Sequence, residues 1–298
     1  MVATLPTGVE TTAILADLED LWRCSDELFE ALSPRDWRRR HGRDWTFADL
    51  PYHLSYFDRE MVARPLARGR DVPLDEQRVM RTIADIDAWN ARMFAQRPAD
   101  ETPERSLVRL REVRATIRGQ LAGWSDDDLE RPAFMSLVGA GWLPASAILG
   151  AAVAHTWSHL TEARLRLGWS TPRPSAGPTH RALGFFMGFM PRFMNRDEAA
   201  RGPFMAVMSF NGPGGGSWTI SVADGAVTTA EGAAPDADLT LTQSPETFEK
   251  IHAKMRHPML LMLTGQIKVR GFGKMGRYGR LFAMPGPQTV VEPYRERL

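Results

Sequence analysis

A helical bundle followed by an α+β domain is the fold class that this sequence predicts, and three observations carry it. Through residue 168 the apolar positions recur at three- and four-residue spacing. Beyond residue 200 short runs mostly alternate. Between them lies STPRPSAGP (170–178), with three prolines, one glycine and three small hydroxyl-bearing residues. At 298 residues the chain can build two domains, each with its own core. The boundaries follow the change of period: a bundle over 1–169, a linker over 170–179, an α+β domain over 180–286 and a tail over 287–298.

Each element has its own signal. ILADLEDLWRCSDELFEAL is amphipathic and breaks at Pro34. TFADLPYHLSYFDREMVARPL opens on Thr46 with Asp49 three positions on, a capping-box pattern, and stacks Leu50, Leu54, Phe57 and Met61 in one stripe. Pro51 is tolerated because it falls in the first turn. EQRVMRTIADIDAWNARMFAQ (76–96) reads as a shorter helix, and PERSLVRLREVRATIRGQLAGW as a longer one with Pro103 near its start. After a polar, Gly-rich connection, a last helix runs from Pro144 to Gly168. Four long helices with one long crossover form a bundle. In the second half FMAVMSF, SWTISVA, AVTTAEG and ADLTLTQ read as strands separated by NGPGGG, DG and APDA turns. SPETFEKIHAKM then reads as a capped helix, QIKVRG as a strand and KMGRYGRLFAM as a closing helix.

Composition excludes several functions. Thirty-seven basic and 36 acidic side chains leave a formal charge of +1, so nothing global points to nucleic acid as a partner. No run of about 18 apolar residues is present to span a membrane, and the acidic N-terminus lacks the basic start of a signal peptide. A cytoplasmic protein is expected. The one cysteine, Cys24, permits neither an internal disulfide nor a cysteine zinc cage, and its amphipathic setting reads as a buried, inert thiol. GFGKMG (271–276) has the glycine spacing of a dinucleotide fingerprint, but too few residues follow it to build a βαβ unit; tight strand–helix packing explains it. RDWRRRHGRDW (35–45) reads as a solvated turn, with Arg38 to Arg40 able to steer an anion. Serine-triad catalysis has no supporting motif.

AHTWSH (154–159) puts His155 and His159 one turn apart on one helix face. Among the seven histidines His53 stands out, because at 100° per residue it falls roughly 60–70° from the centre of its helix's apolar stripe. Two facing helices can thus bring three imidazoles to one point. Three nitrogens and an open position suit catalytic zinc or nickel; three hydrogen-bonded structural histidines remain equally compatible with the spacing. Ten of the fifteen methionines lie between 187 and 284. Thioethers line adaptable pockets and also fill irregular cores. Met187, Met190, Met205, Met208, Met259 and Met262 are the pocket candidates, although such a stripe is more often core.

DWTFADLPYHLSYFD, followed by DIDAWNARMFAQ and the late HTWSH helix, resembles the DinB-like superfamily over roughly residues 10–168, and in particular its mycothiol-dependent maleylpyruvate isomerase branch. The resemblance implies a four-helix bundle holding a divalent metal, zinc or nickel, through His53, His155 and His159. That branch resembles His–Glu–His, whereas position 155 here is His, closer to the bacillithiol-transferase and metal-hydrolase side. By the same resemblance a low-molecular-weight thiol of the mycothiol or bacillithiol type, or water, is the expected nucleophile. The expected activity is transfer, isomerisation or hydrolysis on a small substrate. Asp49, Asp58 and Glu162 are candidates for orienting the ligand imidazoles, and Tyr56, Asn90 and Trp157 for lining the pocket. Residues 180–284, from GPGGGSWTISVADG through ADLTL to GQIKVRG, are similar to the SCP2 sterol-carrier family, which implies an apolar tunnel between sheet and helices. Such a domain is expected to cover the site or hold an apolar substrate part near the domain junction. A non-enzymatic carrier of lipid or another apolar ligand is the alternative.

Overall fold

The computed structural model describes residues 8–41, 45–137 and 140–282. These fall into two compact units, the first reaching Arg173 and the second starting at Pro174, within the Pro-rich stretch. The second unit's first helix already begins at Ala176, inside the span expected to be linker. The expected C-terminal tail, 287–298, lies outside the described residues.

The first unit is built on long helices: α1 (Val9–Ala31), α2 (Leu50–Phe57), α3 (Ile83–Ala95), α4 (Pro103–Leu121) and α5 (Ala145–Leu167). α2 packs on α4, and α1 on α5. Leu50, Leu54, Phe57 and Met61, the expected stripe, are all buried. Thr46 and Asp49 form the expected capping box, and Pro51 sits in the first turn of α2, where its missing N–H costs nothing. α2 does not end at Phe57. It passes into a π-turn, Asp58–Ala63, and resumes as an α-helix over Arg64–Arg68. The Arg64 N–H donates to the Arg59 carbonyl, five residues back. Pro65, which has no N–H to give, follows immediately.

Two expectations fail here for local reasons. The helix expected from residue 76 starts at Ile83, because Thr82 accepts from the Asp85 N–H while the Asp85 carboxylate accepts from the N–H groups of Thr82 and Arg81. Those bonds hold 81 and 82 out of the helix. The connection before α5 is not irregular: β1 (Pro132–Met135) and β2 (Gly141–Pro144) pair antiparallel. Both run four residues, too short to show alternation.

The second unit contains α6 (Ala176–Phe189), β3 (Phe204–Phe210), β4 (Gly216–Ala223), β5 (Ala226–Glu231), β6 (Leu239–Gln243), α7 (Pro245–His252), α8 (Pro258–Leu263), β7 (Lys268–Arg270) and α9 (Met275–Leu281). The sheet order is β5-β4-β3-β6-β7, with β3 and β6 parallel and the other pairs antiparallel. Asp224 and Gly225 turn β4 into β5 with φ of 52° and 74°, the conformation that two-residue hairpins select. Phe204, Ala206, Met208 and Phe210 alternate along β3 into a core shared with Trp218, Ile220, Leu239, Leu183 and Met187.

Of the six methionines offered as pocket candidates, four belong to one apolar cluster, in line with the core role that such a stripe more often has. Met187 and Met208 are core residues, with Met190 and Met262 packed at its edge. Met205 lies one residue from the inward-facing Phe204 and Ala206, and so points to the other sheet face. Met259 is 47% exposed.

The GFGKMG glycines have a packing role at their first position. Gly271 has φ +80°, and a Cβ there would lie 2.0 Å from the Asp238 carbonyl oxygen. Gly271→Ala is therefore expected to cost about 1–2 kcal/mol from the left-handed backbone alone, with the clash against the Asp238 carbonyl added to it. Urea unfolding followed by circular dichroism checks it, with Gly273→Ala, which meets open space, as the neutral control.

Candidate metal centre

His53 lies at the middle of α2, 4% exposed. His155 and His159 are half-buried on α5. Their spacing of four residues stacks the two rings on one face, 4.6 Å apart between centroids. The Nε2 atom of His53 is 3.0 Å from Nε2 of His155 and 3.1 Å from Nε2 of His159. All three donor atoms lie within 4.8 Å of one another.

That convergence fits a single cation. Tetrahedral nitrogen ligands about 2.0–2.1 Å from zinc stand about 3.3 Å apart, so the observed separations of 3.0 and 3.1 Å are a few tenths short of it. One ring nitrogen carries either one proton or one lone pair, so His53 Nε2 can make at most one linear hydrogen bond with the two nitrogens that approach it. Burial, reinforced by His159 and His41, holds the His53 ring well below the usual histidine pKa. The ring is therefore neutral at pH 7, the form that ligates a metal. Imidazole donors suit zinc and nickel alike.

Aromatic rings fix these imidazoles. The Phe57 ring stacks on His155 with centroids 3.6 Å apart and planes within 9°. Trp45 lies 4.4 Å from His53 and 6.2 Å from His159, with its far side against Phe94 at 5.2 Å.

The other candidates spread out. Asp49 accepts from the Thr46 N–H and hydroxyl at 2.8 and 2.7 Å and pairs with Arg97 at 2.5 Å, so it serves the start of α2. Asp58 is buried beside Arg114, 3.7 Å away, and burial pushes its carboxyl up to about 6. Tyr56 donates to the Gln96 side chain at 3.2 Å and meets Trp89 edge-on, turned towards α3 rather than the histidines. Asn90, on α3, buries its carbonyl oxygen. Trp157 is packed in the core at 2% exposure. Glu162 alone comes near the histidines: it accepts from Arg166 at 2.6 Å, and its second oxygen is 3.8 Å from His41 Nε2.

His41 and Trp45 are the residues that sequence reasoning passed over. Both sit in the basic run taken as a solvated turn. Arg38 to Arg40 are exposed, as that reading expects, and residues 42–44 of the run lie outside the described residues. Ser33 caps a short helix, Pro34–Trp37, and Arg39 donates to the Arg166 carbonyl at 2.7 Å. His41 is buried, 1% exposed, with Nε2 3.3 Å from Nδ1 of His159. The usable signal was the aromatic residue on either side of the arginines, Trp37 and Trp45, since a fully solvated turn has no use for indole rings. Cys24 is buried as expected, and burial raises its thiol to about 11, which removes it as a nucleophile near neutral pH.

Residues 17–163 match the DinB superfamily, and residues 198–281 match the SCP-2 sterol transfer family. Among solved structures, a mycothiol-dependent maleylpyruvate isomerase is similar at 13% identity over 80% of this chain and 85% of its own, with a TM-score of 0.46. Sterol Carrier Protein 2 from Yarrowia lipolytica is similar at 17% identity over 35% of this chain and 93% of its own, TM-score 0.27. The stereoselective inverting sec-alkylsulfatase Pisa1 from Pseudomonas sp. is similar at 18% identity over 51% of this chain, TM-score 0.31, and the match takes in 25% of the sulfatase. This chain thus spans about a quarter of that protein's length. No curated protein matches the chain.

Proposed function

We propose, from a chain that joins a DinB-superfamily bundle to an SCP-2 sterol-transfer domain, that this protein is a divalent-metal-dependent enzyme acting on a small substrate. The observation that carries the reading is the convergence of His53, His155 and His159 through their Nε2 atoms. A zinc or nickel ion held by these three would supply Lewis acidity, making a thiol or water in its open position more acidic at neutral pH.

The chain's own residues set the rest. His53 is buried while His155 and His159 are half-buried, so a small molecule would approach a bound ion from the side of His155 and His159. Trp45 and Phe57 hold the rings in place and keep water off their faces. With the Cys24 thiol buried and raised, a thiol nucleophile has to come from solution, which favours a low-molecular-weight thiol of the mycothiol or bacillithiol type. Transfer, isomerisation and hydrolysis all use such an activated nucleophile. The SCP-2 match supports an apolar ligand or substrate part bound by the second unit. Among the described residues no helix is long and apolar enough to cross a membrane.

Protein purified without chelator is expected to hold one zinc or nickel per chain by mass spectrometry, and to conjugate an electrophile faster with one low-molecular-weight thiol than with others. A metal-free protein carrying co-purified lipid would replace this reading with a carrier.

A further inference from the structure

His41 is a buried histidine that the proposed chemistry does not use. It enters from a turn rather than from the bundle helices. Its backbone N–H donates to the Trp45 carbonyl at 2.8 Å, the Phe47 N–H donates to the Arg39 carbonyl at 3.0 Å, and its ring rests 5.2 Å from the Phe47 ring. Arg40 and Thr46 pair as an isolated antiparallel bridge beside it. The backbone is thus fixed on both sides of the ring, which packs on Phe47. The ring's Nδ1 is buried without a hydrogen-bond partner among the described residues, and its Nε2 is aimed at Nδ1 of His159 at 3.3 Å.

We propose that His41 is a positioning residue that accepts a hydrogen bond from the Nδ1–H of His159, so that the Nε2 lone pair of His159 stays directed at the point shared with His53 and His155. This rests on the metal-site reading above. The argument is one of proton count. Neutral imidazole carries one proton, on either nitrogen. Were it on Nε2 of His159, that nitrogen would donate to His53 Nε2, 3.1 Å away, and close the site. An acceptor at Nδ1 draws the proton to the far side of the ring. Histidine ligands commonly give their second N–H to such an acceptor, which sets tautomer and orientation together.

The acceptor here is a neutral ring and not a carboxylate. Among the described residues, the carboxylate of Glu162 stands 3.8 Å from His41 Nε2 and accepts from Arg166 at 2.6 Å. A donor set backed by a neutral acceptor adds no negative charge, so a bound cation keeps its full charge for an anionic nucleophile. The same three side chains, His41, His159 and Glu162, also lie close enough to hold a second cation. The Arg166 guanidinium already bound to Glu162 disfavours that, since it would face the added charge.

The test uses the full chain and the variants His41→Ala and His41→Gln. Zinc affinity is measured by competition with a chromophoric chelator, the ligand field from the visible spectrum of the cobalt-substituted protein, and folding of the metal-free forms by calorimetry. The tautomer is read in the metal-free protein from ¹⁵N chemical shifts of His159. We expect His41→Ala to weaken zinc binding about 10- to 100-fold and to shift the cobalt spectrum. His41→Gln, whose side-chain oxygen still accepts, should recover most of both. The ¹⁵N shifts should show a protonated Nδ1 in the parent. Equal losses in the Ala and Gln variants, tracking their melting temperatures, would reduce His41 to packing and overturn the proposal. So would a protonated Nε2 on His159, or two equivalents of zinc in the parent with one lost in His41→Ala. A parent that binds no metal while showing the protonated Nδ1 would instead sink the metal-site reading and leave the hydrogen bond standing.

Discussion

His159→Ala is expected to weaken metal binding about 100-fold and to lower any thiol- or water-dependent turnover with it. Structural zinc sites bind with about 10–16 kcal/mol shared among four ligands, so one lost imidazole removes about 3 kcal/mol. At about 1.4 kcal/mol per factor of ten, the affinity falls about 100-fold at least. His159 is the most exposed to this effect because its ring serves two partners, His53 through Nε2 and His41 through Nδ1. The fold should survive, since the side chain is half-buried and α5 is otherwise anchored by Ile148, Leu149, Ala152 and Trp157 in the core. Metal content after dialysis, measured beside the melting temperature of the metal-free protein, checks it. A variant that keeps one equivalent of metal would show that the three imidazoles are structural.

Asp58→Ala should be the most destabilising single change outside the apolar core. Arg114 is fully buried, and Asp58, at 3.7 Å, is its fully buried counter-charge. Removing one partner of such a pair strands the other and costs about 3–5 kcal/mol. The lower end applies, because Asp26 also approaches Arg114 at 3.7 Å and the guanidinium lies over the Trp22 ring. The pair itself adds little net stability. Burial raises the Asp58 carboxyl from 3.8 to about 6 even with Arg114 beside it. The folded state thus binds this proton more tightly than the unfolded chain does. That stabilising contribution is complete below about pH 4 and is lost as the pH rises through about 6. Asp58→Leu combined with Arg114→Met should accordingly recover most of the stability lost by Asp58→Ala. Urea denaturation at pH 5 and pH 8 checks both expectations, and a double variant no more stable than the single one would count against them.

Much of the candidate site was legible before any coordinates, and the reason is periodicity. A four-residue spacing on a helix is a distance, so His155 and His159 had to be neighbours, and the stripe of α2 put His53 at the edge of the same core. What periodicity cannot encode was missed. His41 reaches its partner from a turn, across 118 positions of chain, and nothing in RRRHGRDW carries that distance. Glu162 was singled out from its place three residues after His159, and it lies with His159 and His41 while accepting from Arg166. The strands beyond residue 200 were readable from alternation and from the Asp224–Gly225 turn. The helix from Ala176 was hidden by the prolines around it, one of which, Pro178, falls in its first turn, where a missing N–H is harmless. Composition alone could not sort the methionines, because it counts side chains, whereas Met205 and Met208 leave β3 on opposite faces.

The π-turn at Asp58–Ala63 has an arithmetic consequence. Each π-turn spends one residue more than an α-turn over the same stretch, so a straight α-helix joining the same end points would be one residue shorter. Since each residue of an α-helix advances the azimuth by about 100°, that surplus residue sets the angular phase between His53 upstream and Pro65 downstream. In chains where the surplus is absent, a histidine at the same count from the proline would face another compass direction, and motif counting across this segment would misplace the ligand.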